Sequence, residues 1–209
     1  MKYQHVANQY NDIYADDERA FFGEPLPLLS TILAHRTSGR VLEIGAGAGQ
    51  NSIFLASKGF QVLATDISSV AIEKIKMRAR DANVKLDTRI CDIAEMDFTQ
   101  DFDIIICAFT LHHLQSTDAK MVLLNIQKHT TQTGLNLLMV FTEESDLFRN
   151  HLTRDRFFVK SKKDINEFYA NWTMLKSFEK SSLSRSLDSK GNSQVNTFVG
   201  LLAQKGYSD

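Results

Sequence analysis

The segment 41–51 constrains the fold more than any other part of the chain. It reads Val-Leu-Glu-Ile-Gly-Ala-Gly-Ala-Gly-Gln-Asn, so a short run of β-forming residues leads into glycines at positions 45, 47 and 49. Because glycine has no Cβ, such a loop can turn sharply and a ligand can lie directly against its backbone. The pattern predicts a strand, a ligand-binding loop and a helix, the first unit of an open α/β sheet.

Strand-like and helix-like stretches continue to alternate after this loop. The predicted strands are 40–44, 61–66, 84–90, 102–109 and 137–141, and the predicted helices are 50–58, 68–82 (capped by Ser68 or Ser69) and 116–131. Alternating apolar and charged residues place the third strand at a sheet edge, whereas the nearly continuous apolar run of the fourth is typical of a central strand. Two further predicted strands, 172–178 and 195–203, flank the turn-rich segment 188–192, which indicates a hairpin.

These elements predict an α/β fold that is Rossmann-like and doubly wound. Its sheet should have seven strands, be mostly parallel, and end in an antiparallel hairpin. We expect a single domain over residues 1–209, with an N-terminal helical cap over residues 1–36 and an α/β core over residues 37–209. The cap is aromatic, and it can be interpreted either as a lid over a ligand or as ordinary core packing; its aromatic residues are Tyr3, Tyr10, Tyr14, Phe21 and Phe22.

Two acids follow the glycine loop at strand ends. Asp66 closes the second predicted strand, 21 residues beyond Gly45, where a carboxylate can accept hydrogen bonds from both ribose hydroxyls. Asp92 follows the third strand, where it can accept from an adenine amino group. Aspartate often only begins a turn, but two in register with a glycine loop favour a nucleoside ligand. A nicotinamide dinucleotide is disfavoured because the third glycine comes one residue early, with Gln50 in its expected place.

Glu43, the three glycines, Asp66 and Asp92 together resemble the class I S-adenosylmethionine-dependent methyltransferases. In that family the glycine loop contacts the methionine part of the cofactor, the second-strand acid holds the ribose and the third-strand acid meets the adenine. The resemblance also implies that Glu43 lies near the cofactor's ammonium group. The cofactor-binding residues that it implies are Tyr14, Glu43, Gly45, Ala46, Gly47, Gly49, Asn51, Asp66, Ile67, Asp92, Ile93 and Ala108.

The flanking segments resemble the tellurite-resistance branch of these methyltransferases. The N-terminal segment 11–25 is similar to that branch, and so are the motif Phe-Tyr-Ala-Asn-Trp at 168–172 and the turn Asp-Ser-Lys-Gly-Asn at 188–192. Members of the branch carry a His-Arg pair before this turn and an arginine after its Gly-Asn. Here Arg185-Ser186 and Ser193 stand at those positions. The resemblance therefore implies methyl transfer to a small acceptor, such as a tellurite- or selenite-type oxyanion or a thiol, while the substitutions weaken the case for tellurite.

Three residues are candidates for a catalytic role. His112 and His113 follow the fourth strand, where an imidazole can act as a general base near neutral pH. Related methyltransferases with different substrates share a Leu-His-His-Leu stretch, so packing against the cofactor is the favoured interpretation. Arg185 is the third candidate, by its place before the hairpin turn. Two adjacent histidines without a third ligand do not predict a metal site.

Charge and hydropathy exclude other classes of protein. The formal net charge is −1, which argues against a general nucleic-acid or acidic-membrane binder. Residues 1–5 lack the apolar core of a signal peptide, and the longest apolar run, 104–109, is far below the roughly 20 residues that span a bilayer. We therefore expect a cytoplasmic protein. A macromolecular methyltransferase and a non-catalytic S-adenosylmethionine-binding protein remain as alternatives.

Overall fold

The computed structural model describes residues 1–16, 23–146, 161–187 and 191–207, and at 185–187 it describes the backbone only. The strands are β1 (Arg40–Ile44), β2 (Gln61–Asp66), β3 (Asp87–Ile90), β4 (Phe102–Ala108), β5 (Thr130–Phe141), β6 (Trp172–Leu187) and β7 (Ser193–Lys205). They form one sheet in the order β3-β2-β1-β4-β5-β7-β6. The pairs among β1 to β5 are parallel, and β7 runs antiparallel to both β5 and β6. The predicted fold class is confirmed.

Helices cover both faces of the sheet. They are α1 (Gln4–Ala15), α2 (Leu29–His35), α3 (Gln50–Ser57), α4 (Ser69–Asp81), α5 (Ser116–Lys128) and α6 (Lys162–Phe168). Ser68 is the cap of α4, since its side chain accepts a hydrogen bond from the backbone N–H of Ala71. Gly59, at φ +91°, provides the left-handed residue that ends α3, as the sequence predicts.

The two faces of the sheet carry separate hydrophobic cores, and β4 contributes to both. Ile104 and Ile106 belong to the core that α2 and α3 cover, whereas Ile105 and Cys107 belong to the core shared with α5, α6 and the start of α1. All four side chains are fully buried, as expected for a central parallel strand. This burial fixes the carboxyl end of β4 next to that of β1, where the glycine loop begins.

Several element boundaries differ from the prediction. β3 begins at Asp87 rather than at 84, because Asn83 adopts φ +52° and the Val84 N–H still bonds to the Ala79 carbonyl at the end of α4. α5 ends at Lys128, since the chain from Thr130 onward already pairs with β4. The strands of the hairpin are longer than predicted, because mutual pairing extends them beyond their apolar segments. Among the described helices, none has the length and apolar character needed to cross a membrane.

Candidate functional site

The glycine loop lies at the carboxyl edge of the sheet, between β1 and α3. The three glycines, at positions 45, 47 and 49, have φ values of +67°, +57° and +80°. Residues other than glycine rarely adopt such backbone angles, so the loop conformation depends on these glycines. The N–H of Ala46 bonds to the carbonyl of Thr65 at 2.9 Å, which attaches the loop to the end of β2. The loop is therefore fixed between the carboxyl ends of β1 and β2.

Asp66 joins the glycine loop to the end of β2. One carboxylate oxygen accepts from the N–H of Gly47 at 2.8 Å, and the other accepts from the N–H of Ser68 at 2.9 Å. The residue is only 7% exposed, and burial raises the pKa of its carboxyl group. A carboxylate offers about four acceptor positions. With the Ile67 N–H also directed at this carboxylate, at least one position remains for a ribose hydroxyl.

Asp92 occupies the equivalent place after β3. It is 4% exposed, and its oxygens accept from the N–H of Ala94 at 3.1 Å and from the N–H of Tyr3 at 2.8 Å. Ile67 and Ile93, each next to one of these acids, are half-buried against the adjoining core. The strand ends therefore present two acids with an apolar side chain beside each.

Helix α1 crosses this edge from Asp92 to the glycine loop. Tyr3, at its start, binds Asp92, and Asn11 accepts a hydrogen bond from the Ser68 hydroxyl at 2.7 Å. Near its end, the Tyr14 hydroxyl lies so close to Gly47 that a Cβ on the glycine would be 2.5 Å from it. Helix α1 and its N-cap therefore contact Asp92, Ser68 (whose N–H bonds to Asp66) and the central glycine of the loop.

Glu43 anchors the first turn of α3 beneath the loop. Its carboxylate accepts from the Asn51 amide at 2.7 Å and from the Ser52 hydroxyl. The Asn51 side chain in turn accepts from the N–H of Leu26 at 2.9 Å, so it ties the segment before α2 to the same place. Glu43 is 2% exposed, and burial raises its pKa to about 7 although both partners oppose the shift.

This raised pKa predicts a stability that falls with pH. Folded Glu43 retains a proton up to about pH 7, whereas the unfolded side chain releases it near 4.5, so the folded state binds more protons within that window. The contribution is present below about 4.5 and is lost as pH rises towards 7, with a size on the order of 3 kcal/mol. Denaturant unfolding of Glu43→Gln should show a flatter pH dependence than that of the wild type. Glu73→Gln, at an exposed position on α4, is the control; equal slopes in all three proteins would contradict the assignment.

The two histidines occupy a turn after β4 and have different surroundings. His113 Nε2 lies 2.9 Å from the Tyr10 hydroxyl, and burial raises the pKa of Tyr10 to about 12, so the phenol keeps its proton and can donate it. His112 packs with its ring centroid 5.0 Å from that of Phe141. Its Nδ1 is buried and finds no hydrogen-bond partner within the part of the chain that the structure describes. Burial, followed by the charge of His113, holds the pKa of His112 well below its usual range. His112 is therefore neutral at physiological pH.

The structure gathers most of the residues that the sequence predicts for the site along one edge. The twelve candidate cofactor-binding residues lie in the glycine loop, in the first turn of α3, at the ends of β1, β2 and β4, just after β2 and β3, or on α1. Ser193 begins β7 and is exposed. The side chain of Arg185 and both Phe21 and Phe22 lie outside the described residues. No group of three metal-ligating side chains occurs within the described ranges.

Sequence reasoning missed three residues of this edge. Asn11 and Ser52 make the contacts to Ser68 and Glu43, and the Thr110 hydroxyl donates to the Ile44 carbonyl at 3.2 Å. A Cβ on Gly45 would collide with the Thr110 side chain, so this threonine closes one side of the loop. Only Ser52 carried a local signal, since it stands in the first turn of the helix after the glycines.

The donors and acceptors at this edge fit S-adenosylmethionine. A glycine-rich loop suits close approach of a ligand, and Asp66 can still accept from a ribose hydroxyl. The buried acid Glu43 suits a cationic amino-acid group, because a cation beside it favours its ionised form. The apolar residues beside Asp66 and Asp92 suit the faces of an adenine ring.

Comparison with known families matches residues 30–202 to a family described as tellurite resistance protein TehB. Among curated relatives, haemagglutinin 1 of Eikenella corrodens is 27% identical over 166 residues, which are 79% of this chain and 54% of the relative. A probable S-adenosyl-L-methionine-dependent methyltransferase TehB of Haemophilus influenzae is 24% identical over 166 residues, 79% of this chain and 57% of its own length. The chain thus spans little more than half the length of these relatives.

Solved structures show the same fold. TehB from Haemophilus influenzae aligns with a TM-score of 0.77 at 20% identity, covering 94% of this chain and 67% of that one. The N-methyltransferase NodS from Bradyrhizobium japonicum, in complex with S-adenosyl-L-homocysteine, aligns with a TM-score of 0.69 at 16% identity, covering 97% and 99%. At these identities the likeness establishes the fold class.

Proposed function

The chain belongs to the TehB family of tellurite resistance proteins, and from that premise we propose that it transfers the methyl group of S-adenosylmethionine to a small-molecule acceptor. The observation that carries the proposal is the buried pair of Asp66 and the Gly47 N–H at the end of β2. This pair places a carboxylate with free acceptor positions beside a loop with no side chain at its centre, which is the arrangement that a ribose joined to an amino acid needs.

Each end of the site has its own role in holding the cofactor. Asp66 accepts from the ribose hydroxyls, while the loop around Gly47 contacts the methionine part. Asp92 accepts from the adenine amino group, and Ile67 and Ile93 flank the ring. The remaining candidates lie along the methionine part of the same edge; they are Tyr14, Glu43, Gly45, Ala46, Gly49, Asn51 and Ala108.

The residues of the site contribute mainly by holding the two reactants in line and keeping water away. When bound, the cofactor supplies an activated sulfonium methyl group. A soft nucleophile such as a thiol or a reduced selenium or tellurium species then needs little base catalysis, whereas a hydroxyl would gain from His112 or His113. Arg185 would act from the hairpin side on an anionic acceptor.

Helix α1 acts as a lid in this proposal. It belongs to the cap of residues 1–36, over a core of residues 37–209, and all of these form one domain. Because its contacts with Asp92 and Gly47 lie at the cofactor positions, the helix must shift to admit the ligand and can close over it afterwards. A cytoplasmic location fits the cofactor, which is made and used in that compartment.

The family name points to tellurite as acceptor, but the substitutions at Arg185-Ser186 and Ser193 point away from it. The test is methyl transfer from isotopically labelled S-adenosylmethionine to tellurite, selenite and a series of thiols. Labelled product with at least one acceptor, and none from heat-denatured protein, is the expected result. Tight cofactor binding without turnover on any acceptor would instead favour a non-catalytic binding protein, and labelling of only RNA or protein would favour a macromolecular methyltransferase.

A further inference from the structure

We propose that the acceptor is a small, uncharged thiol that carries an aromatic ring, with the ring in an apolar cavity beside β5, β6 and β7 and the sulfur near His112. This inference rests on the proposed methyl transfer and specifies its substrate class. It follows from four features on one face of the sheet: a cavity, a row of aromatic rings, a strained residue and an unpartnered imidazole nitrogen.

The cavity lies on the α2 side of the sheet and has a volume of about 270 Å³. Its apolar lining consists of Leu26, Pro27, Leu28, Met139, Phe178 and Phe198. An apolar cavity of roughly 150 Å³ is enough to hold a benzene molecule. The volume therefore suits one aromatic ring with a substituent, and a drug-sized ligand would exceed it. The side chain of Asn51 accepts a hydrogen bond from the Leu26 N–H. This bond links the cavity wall to the helix that follows the glycine loop.

A row of aromatic side chains runs from this cavity to the end of β4. The ring centroid of Phe198 lies 5.2 Å from that of Phe109, which in turn lies 4.8 Å from that of Phe141. Phe141 then meets His112 at 5.0 Å. All three phenylalanines are half-buried, so each still has ring surface available for an aromatic partner.

Phe109 is held in an unfavourable backbone conformation. Its φ is +55°, which is a genuine outlier for a bulky residue, and its N–H bonds to the Met139 carbonyl at 2.7 Å. Strain of this kind persists only where the surroundings impose it, and it is concentrated at functional sites. Here the positive φ directs the ring of Phe109, which immediately follows β4, into the aromatic row.

His112 supplies a polar group at the end of the row. Its Nδ1 is buried and has no hydrogen-bond partner among the described residues, which is costly unless a ligand satisfies it. The neutral imidazole with its proton on Nε2 can accept a hydrogen bond at Nδ1 from a thiol S–H, and so direct a sulfur lone pair towards the methyl group. In this proposed complex His112 contacts the acceptor directly.

Charge favours an uncharged acceptor over an oxyanion. Among the described residues of the cavity and the aromatic row, Lys180 is the only lysine, arginine, aspartate or glutamate, and it is exposed at the cavity rim. Glu143 and Glu144, both exposed, follow β5 directly after this site. Binding an oxyanion requires cations or several N–H donors directed at it, whereas an aromatic ring needs the apolar wall that is present.

The proposed step balances without any further reactant. The thiol sulfur forms a bond to the methyl carbon as the bond from that carbon to the sulfonium sulfur breaks. The electron pair of the broken bond stays on the cofactor sulfur, which becomes the neutral thioether of S-adenosylhomocysteine. The thiol proton is released to water, and the acceptor leaves as a methyl thioether that carries the aromatic ring.

The test compares acceptors and variants in one assay on the full chain, with phenylmethanethiol, 2-mercaptoethanol and selenite as probes. Both thiols keep their proton near neutral pH, so a difference between them reports on the aromatic ring. We expect kcat/KM for phenylmethanethiol to exceed that for 2-mercaptoethanol at least tenfold. Phe198→Ala should raise the KM for phenylmethanethiol about tenfold, and the milder Phe198→Leu should raise it less, while S-adenosylmethionine affinity stays unchanged in both. Phe168→Ala is the matched control, because this half-buried phenylalanine packs against the core on the opposite face.

Three outcomes would overturn the inference, and they differ in what else they reject. Methylation of selenite without methylation of phenylmethanethiol, or an unchanged phenylmethanethiol KM in both Phe198 variants, would reject the aromatic-thiol site and leave methyl transfer intact. Absence of S-adenosylmethionine binding in the wild type would reject the proposed function together with this inference.

Discussion

Replacing Gly47 by valine is expected to reduce S-adenosylmethionine affinity by at least a hundredfold. The residue has φ +57°, a conformation that a β-branched side chain adopts only with strain, and a Cβ there would lie 2.5 Å from the Tyr14 hydroxyl. The new side chain would also occupy the space in which a ligand approaches the backbone. Isothermal titration calorimetry of the folded variant, with folding checked by circular dichroism, measures the loss.

Two controls separate the possible reasons for that loss. Gly59→Ala also places a side chain at a positive φ, since Gly59 has φ +91°, but no atom of the described residues lies within 4 Å of its Cβ position. It should lose about 1 kcal/mol of stability and keep normal affinity. Combining Gly47→Ala with Tyr14→Phe removes the hydroxyl that the new methyl group meets. If this double variant bound as tightly as the wild type, the collision with α1 would explain the effect and the glycine would not be part of the cofactor cradle.

Asp66→Ala should weaken S-adenosylmethionine binding by about 1–3 kcal/mol, which is roughly a fivefold to 150-fold loss of affinity. The substitution leaves the ribose hydroxyls without an acceptor, and it also releases the N–H groups of Gly47 and Ser68 that shape the loop. Calorimetric titration gives the affinity, and denaturant unfolding gives the accompanying loss of stability.

Asp103→Ala is the matched control for this second prediction. Asp103 also accepts hydrogen bonds from a backbone N–H, that of Arg40, and from a side chain, that of Thr131, but it lies near the amino ends of β1 and β4. The variant should lose stability and keep its affinity. Equal affinities for wild type and Asp66→Ala would contradict the ribose assignment, and equal losses in Asp66→Ala and Asp103→Ala would show that stability alone is responsible.

The parts of the site that could be predicted from sequence are those in which position along the chain fixes position in space. In a parallel sheet every strand ends at the same edge, so Gly47, Asp66 and Asp92, each after a predicted strand, had to meet there. The glycines at alternate positions predicted a loop with positive φ angles, because such angles are rare for other residues.

The remaining contacts join segments that are far apart in sequence, and no local pattern reports them. Tyr3 and Asp92 are 89 residues apart, and Tyr10 and His113 are 103 apart. The aromatic content of the N-terminal segment indicated burial but not the surface that it covers. Likewise Phe109 carried no sequence signal of its backbone strain, since its φ of +55° results from the turn after β4 and its bond to Met139.

The central claim is that the edge formed by the glycine loop, Asp66 and Asp92 binds S-adenosylmethionine. Calorimetric titration of the purified protein with S-adenosylmethionine, S-adenosylhomocysteine and NADH tests it most directly. We expect saturable, one-to-one binding of both adenosyl ligands and no binding of NADH. Binding of NADH, or of neither adenosyl ligand, would contradict it.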